Sequence, residues 1–131
     1  MRAELYQQMR EIEDRHWWFQ GRRRIVSAVL DKMVLPAGSK ILDLGCGTGG
    51  NLHMLNEYGE VTGVEMNEEA RELANARQQA RVVEGSLPDD LPFDEGGFDC
   101  ITMLDVLEHV QQDQDGLVAV HRQLAPGGAL V

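Results

Sequence analysis

The stretch that most constrains this chain is residues 41–52, ILDLGCGTGGNL, where an apolar run meets an acid and breaks into glycines before a helix-like segment begins. Ile41, Leu42 and Leu44 read as a buried parallel strand, because strands covered on both faces are apolar runs rather than alternations. Gly45, Gly47, Gly49 and Gly50 permit positive φ and a close backbone approach to a ligand. Residues 51–58 follow as a short helix whose first amides and dipole point at that ligand. Strand, glycine turn and helix in this order predict an open α/β sheet with a nucleotide-like cofactor at the C-terminal strand ends.

Spacing alone satisfies the dinucleotide pattern G-x-G-x-x-G through Gly45, Gly47 and Gly50, with Glu65 lying 20 residues after the first glycine. Asp43 discriminates. At the strand end its carboxylate is expected to face the ligand, repelling a pyrophosphate and attracting a ligand with an ammonium and a sulfonium. Such an attraction is about 4 kcal/mol per unit-charge pair at 4 Å for an effective dielectric near 20, before desolvation. The plainer alternative is a glycine turn in which Asp43 bonds backbone amides.

At Asp43, Gly45, Gly47 and Gly49 the chain resembles motif I, D-x-G-x-G-x-G, of the class I S-adenosylmethionine-dependent methyltransferases. The resemblance implies a Rossmann-like three-layer α/β sandwich with strands in the order 3-2-1-4-5-7-6, of which this length supplies one to four and the start of five. It also implies S-adenosylmethionine as cofactor. Residues 61–65, VTGVE, read as strand two; in the resembled family its terminal acid, here Glu65, accepts hydrogen bonds from the ribose hydroxyls, and the next residue, Met66, packs on adenine. Asn67 is an N-cap candidate for a helix over residues 68–80 with Ala70, Leu73, Ala74 and Arg77 at helical intervals. Strand three, residues 81–84, precedes Gly85-Ser86 where the family commonly has G-D, so adenine recognition falls to Ser86 or to backbone groups of Ser86 and Leu87, with Asp89 a further substitute. Residues 91–99, LPFDEGGFD, resemble the family's lead into strand four, expected at Cys100–Met103 with Leu104 beyond it at the cofactor. A helix over residues 113–124 and the Ala125-Pro126-Gly127-Gly128 turn complete the match. Cofactor contacts are therefore expected from Asp43, Gly45, Cys46, Gly47, Gly49, Glu65, Met66, Gly85, Ser86, Leu87 and Leu104.

Two helices are predicted ahead of this domain, over residues 3–15 with Leu5, Met9 and Ile12 inward, and over residues 22–34. Between them lie His16-Trp17-Trp18-Phe19-Gln20-Gly21, followed by the triplet Arg22-Arg23-Arg24. The aromatics either dock residues 1–38 as an arm on a domain of residues 39–131, since large rings dominate packing, or wall an acceptor pocket through His16, Trp17 and Trp18. The arginines either meet an anionic acceptor or form a solvated basic face.

Methyl transfer from a sulfonium is an in-line displacement, so the protein mainly aligns the nucleophile and excludes water, an effect of roughly 7 to 11 kcal/mol in good intramolecular cases. A protonated acceptor also needs a base, and His109, past strand four and titrating near neutrality, is the candidate. Asp105, Glu108 and His109 also resemble the E-x-x-E-H metal cluster of ubiquinone-pathway O-methyltransferases, with Asp in place of the first Glu, which implies Mg²⁺ held mainly by oxygens. Otherwise Glu108 is a solvated or capping acid and His109 a pocket wall.

Charge and cysteine content narrow the partners. The net charge of −10 divides into eight Lys/Arg against five Asp/Glu over residues 1–40 and four against seventeen over residues 41–131. An acidic body disfavours a phosphate backbone, so nucleic acid is a poor default substrate. Cys46 and Cys100 are too few for a disulfide framework. With no transmembrane or secretion segment in view, a cytoplasmic enzyme is expected. The leading function is methyl transfer to a small-molecule, envelope-sugar or lipid acceptor; the alternatives are a dinucleotide-dependent oxidoreductase and a non-catalytic ligand-binding fragment. A sheet that ends at the start of strand five also predicts association through an open edge near strand four.

Overall fold

The structure is a computed structural model and describes residues 2–131. Its elements run α1 (Ala3–Ile12), α2 (Trp17–Met33), β1 (Lys40–Leu44), α3 (Leu52–Asn56), β2 (Glu60–Val64), α4 (Glu68–Ala76), β3 (Arg81–Val83), β4 (Phe98–Thr102), a 3-10 turn at Leu107–His109, α5 (Asp113–Gln123) and β5 (Leu124–Leu130). All strand pairings are parallel, in the order β3-β2-β1-β4-β5. That is the first part of the order the resemblance implied, and the fold is Rossmann-like.

Alternation along β1 divides the interior in two. Ile41 packs with Val26 and Leu30 of α2, Leu52 and Leu55 of α3 and Ala74 of α4. Leu42 and Leu44 point to the opposite face and meet Val120 of α5, Phe98 and Ile101, with Leu91 and Phe93 of the L-P-F segment beside them. Because both faces of β1 are covered, its apolar run is legible without a period-two pattern.

The fourth helix ends at Ala76 instead of residue 80 and β4 runs Phe98–Thr102 instead of 100–103; three further elements depart more from their sequence expectations. The second helix begins at Trp17, not Arg22, because His16 caps it: its Nδ1 accepts a hydrogen bond from the Trp18 amide at 3.2 Å. Gly21 therefore lies within the helix, and α2 is anchored by buried Val26 and Leu30 while Trp17 stays 75% exposed. Of the three aromatics expected to dock the arm, Trp17 points outward, Trp18 is 46% exposed and Phe19 is half-buried. In α1 no residue within Ala3–Ile12 is buried, and the expected inward Leu5 and Ile12 are exposed. The chain turns its Tyr6 side inward instead, and Glu13 just past the helix is buried. Finally, β5 starts at Leu124 and carries the P-G-G turn as an irregularity: Leu124 aligns with Phe98 and Ala129 with Cys100. Gly127 takes φ +79° there, and β5 covers β4 from Phe98 to Ile101 as the outermost strand.

The arm is fastened to the sheet domain by a buried ionic cluster. Arg77, at the end of α4, donates to Glu13 at 2.6 Å, to Asp14 at 2.9 Å and to the Thr48 carbonyl at 2.7 Å. The Thr48 hydroxyl also donates to Glu13. Partial burial alone would raise the Asp14 carboxyl, but the bond from Arg77 and the charges of Arg77, Arg10 and Arg23 hold it below the ordinary value. A second tie joins Tyr58, after α3, to Ser27 and Asp31 of α2.

Candidate functional site

A cleft of about 930 Å³ opens at the C-terminal ends of β1 and β2. Its floor is Leu44, Gly45 and Val64; Glu65-Met66-Asn67 and Gly85-Ser86-Leu87 form one side, Asp105, Val106 and His109 another, and Tyr6 reaches in from α1. Among the described residues two acids line it and no Lys or Arg does, though Arg22 stands behind Asp105.

The glycine turn brings these parts together at close range. Gly45 has φ +68°, and a Cβ there would stand 2.6 Å from Val106. Gly49, φ +84°, would put its Cβ 2.9 Å from Leu52 and 3.1 Å from Ala74, so the turn packs against α3 and α4 at a distance only glycine allows. The Gly45 and Cys46 amides both donate to the Val64 carbonyl, at 2.8 and 3.0 Å, which splices the turn onto the end of β2.

Glu65, next in the chain after β2, is fixed by two backbone donors. The Gly47 amide donates to its Oε2 at 3.2 Å and the Asn67 amide to its Oε1 at 3.3 Å. Asn67 in turn caps α4 through the Ala70 amide at 2.9 Å, as the sequence predicts. Met66 stands 71% exposed beside it at the cleft.

Asp43 behaves differently. It shares the face of Ile41, is 2% exposed, and accepts the Thr102 hydroxyl at 2.7 Å across an in-register β1–β4 pair. Burial pushes its carboxyl up to about 6; the Thr102 bond and the charge of Arg22 pull downward, and Glu65 adds to the rise. Its carboxylate lies beneath the turn instead of facing the cleft, and its partner is a side-chain hydroxyl where the plainer reading had backbone amides.

Cys46, Gly47 and Gly49 stand outside the cleft lining, and Leu104 packs with the α2–α3 side of the core. Burial, then the charges of Asp43 and Glu65, raise the Cys46 thiol, and burial lifts that of Cys100 to about 11; both are free cysteines. His16, Trp17 and Trp18 do not line the cleft either. The arm contributes two residues that hydrophobic periodicity did not single out. Tyr6 enters the cleft, its phenol pKa raised by burial and then by Glu65 and Glu69. Arg22 pairs with Asp105 at 2.8 Å and lies over the Trp18 ring at 5.5 Å.

The expected metal set is corrected. Among the described residues no three His, Cys, Asp or Glu side chains come together as a metal site. Asp105, in the left-handed region at φ +58°, is engaged by Arg22, and Glu108 and His109 approach only to 4.0 Å. Consecutive residues of the 3-10 turn point in different directions, which the E-x-x-E-H spacing could not reveal.

Comparison with known proteins agrees with this geometry. A family profile described as a methyltransferase domain matches residues 42–131. The chain is 32% identical over 108 residues to a ubiquinone biosynthesis O-methyltransferase of Pseudomonas aeruginosa, covering 76% of this chain and 45% of that protein. It is 32% identical over 127 residues to a demethylmenaquinone methyltransferase of Tropheryma whipplei, covering 92% and 48%. The solved structure of a TehB-like SAM-dependent methyltransferase from Corynebacterium glutamicum superposes with a TM-score of 0.67 at 30% identity, over 79% of this chain and 59% of that one. The chain thus spans about half the length of these curated relatives. No helix among the described residues is long and apolar enough to cross a membrane. With the parallel sheet, the glycine turn and the acid after β2 in place, the chain belongs to the methyltransferase-domain family.

Proposed function

We propose that the cleft holds S-adenosylmethionine and that the protein transfers its methyl group to a small-molecule, envelope-sugar or lipid acceptor. The observation that carries this reading is Glu65: two backbone amides present its carboxylate at the cleft, where it can accept hydrogen bonds from ribose hydroxyls, while the one arginine at the cleft, Arg22, is paired with Asp105 among the described residues. Met66 offers an apolar surface to the adenine, and Gly85, Ser86 and Leu87 supply small and backbone groups at its edge. Gly45 admits the ligand close to the chain, Gly47 holds Glu65 through its amide, and Asp43, Cys46, Gly49 and Leu104 stand outside the cleft lining. When bound, the donor supplies an electrophilic methyl group on a sulfonium sulfur.

With Asp105 paired to Arg22, the negative charge of Glu65 is what favours such a cation over a pyrophosphate, which supports a methyl donor over a dinucleotide. His109, exposed at the cleft, is our candidate base for a proton of the acceptor, a role its position in the lining supports. Exposed Trp17 and Trp18, near Arg22 and its bond to Asp105, fit an apolar acceptor wall, with His16 at their base. The relatives whose names specify ubiquinone and demethylmenaquinone pathways favour a lipid-soluble aromatic among the acceptor classes. Calorimetry with S-adenosylhomocysteine and NAD tests the reading: binding of the first alone is expected, and binding of NAD alone, or of neither, overturns it.

A further inference from the structure

The triplet Arg22-Arg23-Arg24 divides between two cavities. Arg22 turns to Asp105 at the cleft. Arg23 and Arg24, displaced around the α2 axis, line a separate groove of about 850 Å³ together with Arg10 of α1, Arg77 and His53 of α3. Four of the chain's 12 Lys and Arg residues thus converge on one surface of a protein with a net charge of −10.

Three carboxylates share that lining, and two are already engaged. Asp14 accepts from Arg10 at 3.0 Å and from Arg77 at 2.9 Å, and Asp31 accepts the Tyr58 hydroxyl at 2.7 Å; Glu57 is exposed. Arg23 reaches only the Gly50 carbonyl, at 3.5 Å. Arg24 makes no hydrogen bond or ion pair among the described residues. Arg10 and Arg77 are neutralised by Asp14 and Glu13, so the donors left free in this groove are those of Arg23 and Arg24, consecutive residues of α2. A planar fork of N–H donors matches a tetrahedral oxyanion, and an anion would satisfy the donors that Arg23 and Arg24 retain.

We propose that this groove is a binding site for a phosphate group, carried by a small molecule or as the free ion, held chiefly by Arg23 and Arg24. It is separate from the cleft, whose acids would reject the same ligand. The test is titration of this chain at low ionic strength with orthophosphate and with glycerol 3-phosphate, by calorimetry and by amide chemical shifts. Saturable binding with shifts at Gly49, Gly50 and His53 is expected, falling as salt is added. Arg23→Gln and Arg24→Gln should each weaken it by about tenfold while leaving S-adenosylhomocysteine binding intact. Arg24 is exposed, so its variant folds normally. Tighter binding of the ester assigns a phosphorylated small molecule and equal affinity assigns the free ion, both in support. No saturable binding of either anion, or affinities in both variants equal to the parent's, would overturn the site.

Discussion

The cleft and the arginine-lined groove touch the same glycine turn, the first at Gly45 and the second at Gly49 and Gly50, yet the first is lined by Glu65 and Asp105 and the second by four arginines with three acids among them. The cleft draws its acids from the ends of strands, where β2 and β4 deliver Glu65 and Asp105. The groove draws its cations from helices, α1, α2 and α4. Strand ends project side chains over the sheet's C-terminal edge, so the site there is set by the order of the sheet. Helix faces meet only after docking, so the groove depends on how the arm is fastened.

The largest expected effect tests that dependence. Arg77→Met leaves the buried Glu13 with the Thr48 hydroxyl but without its cation, and releases the Thr48 carbonyl. Breaking one side of a buried ion pair should lower stability by about 3 to 5 kcal/mol in urea unfolding, with part recovered in the Glu13→Gln/Arg77→Met double variant. If the fastening also shapes the turn for the cleft, S-adenosylhomocysteine affinity per folded molecule falls as well. Unchanged affinity would show that the two cavities are independent.

Beneath the cleft, the carboxyl of Asp43 is raised, whereas that of Asp14 in the groove is lowered, so their contributions to stability run in opposite directions with pH. The Asp43 carboxyl is raised from 3.8 to about 6 by burial, against the pull of Thr102 and Arg22. The folded chain therefore holds this proton longer than the unfolded one. The stabilising contribution is full below pH 4, is lost as pH rises towards 6, and is constant above. Relative to Asp43→Asn, the parent should lose up to about 3 kcal/mol across that window, read from urea midpoints at each pH. A flat difference would mean that Asp43 is solvated.

Glu65→Ala tests the acid that does face the cleft. Loss of charge-assisted hydrogen bonds predicts roughly 1.5 to 3 kcal/mol weaker S-adenosylhomocysteine binding with folding retained. Parent-like affinity would remove the ribose from this position.

The smallest effect belongs to Trp17. Its exposure predicts that Trp17→Ala changes stability by no more than about 0.5 kcal/mol, so any loss of turnover in this variant reports on the acceptor. A stability loss several times larger would return Trp17 to a docking role.

The sequence by itself determined the sheet and the main line of the site. The apolar run ending in Asp43, the four glycines and Glu65 are local signals within 25 residues, and each names its own place at a strand end. The tertiary structure decided which acid faces the ligand and how the arm lies. Asp43 and Glu65 look alike in the chain, but Asp43 meets Thr102 only because β4 lies beside β1, while Glu65 is held by the turn folded over it. Apolar spacing at Leu5, Met9 and Ile12 pointed one way around α1. The pairing of Glu13 with Arg77, 64 residues distant in sequence, accompanies the rotation that brings Tyr6 inward. Periodicity records only what a segment would bury against an apolar surface, and a buried ion pair between distant segments leaves no periodic trace.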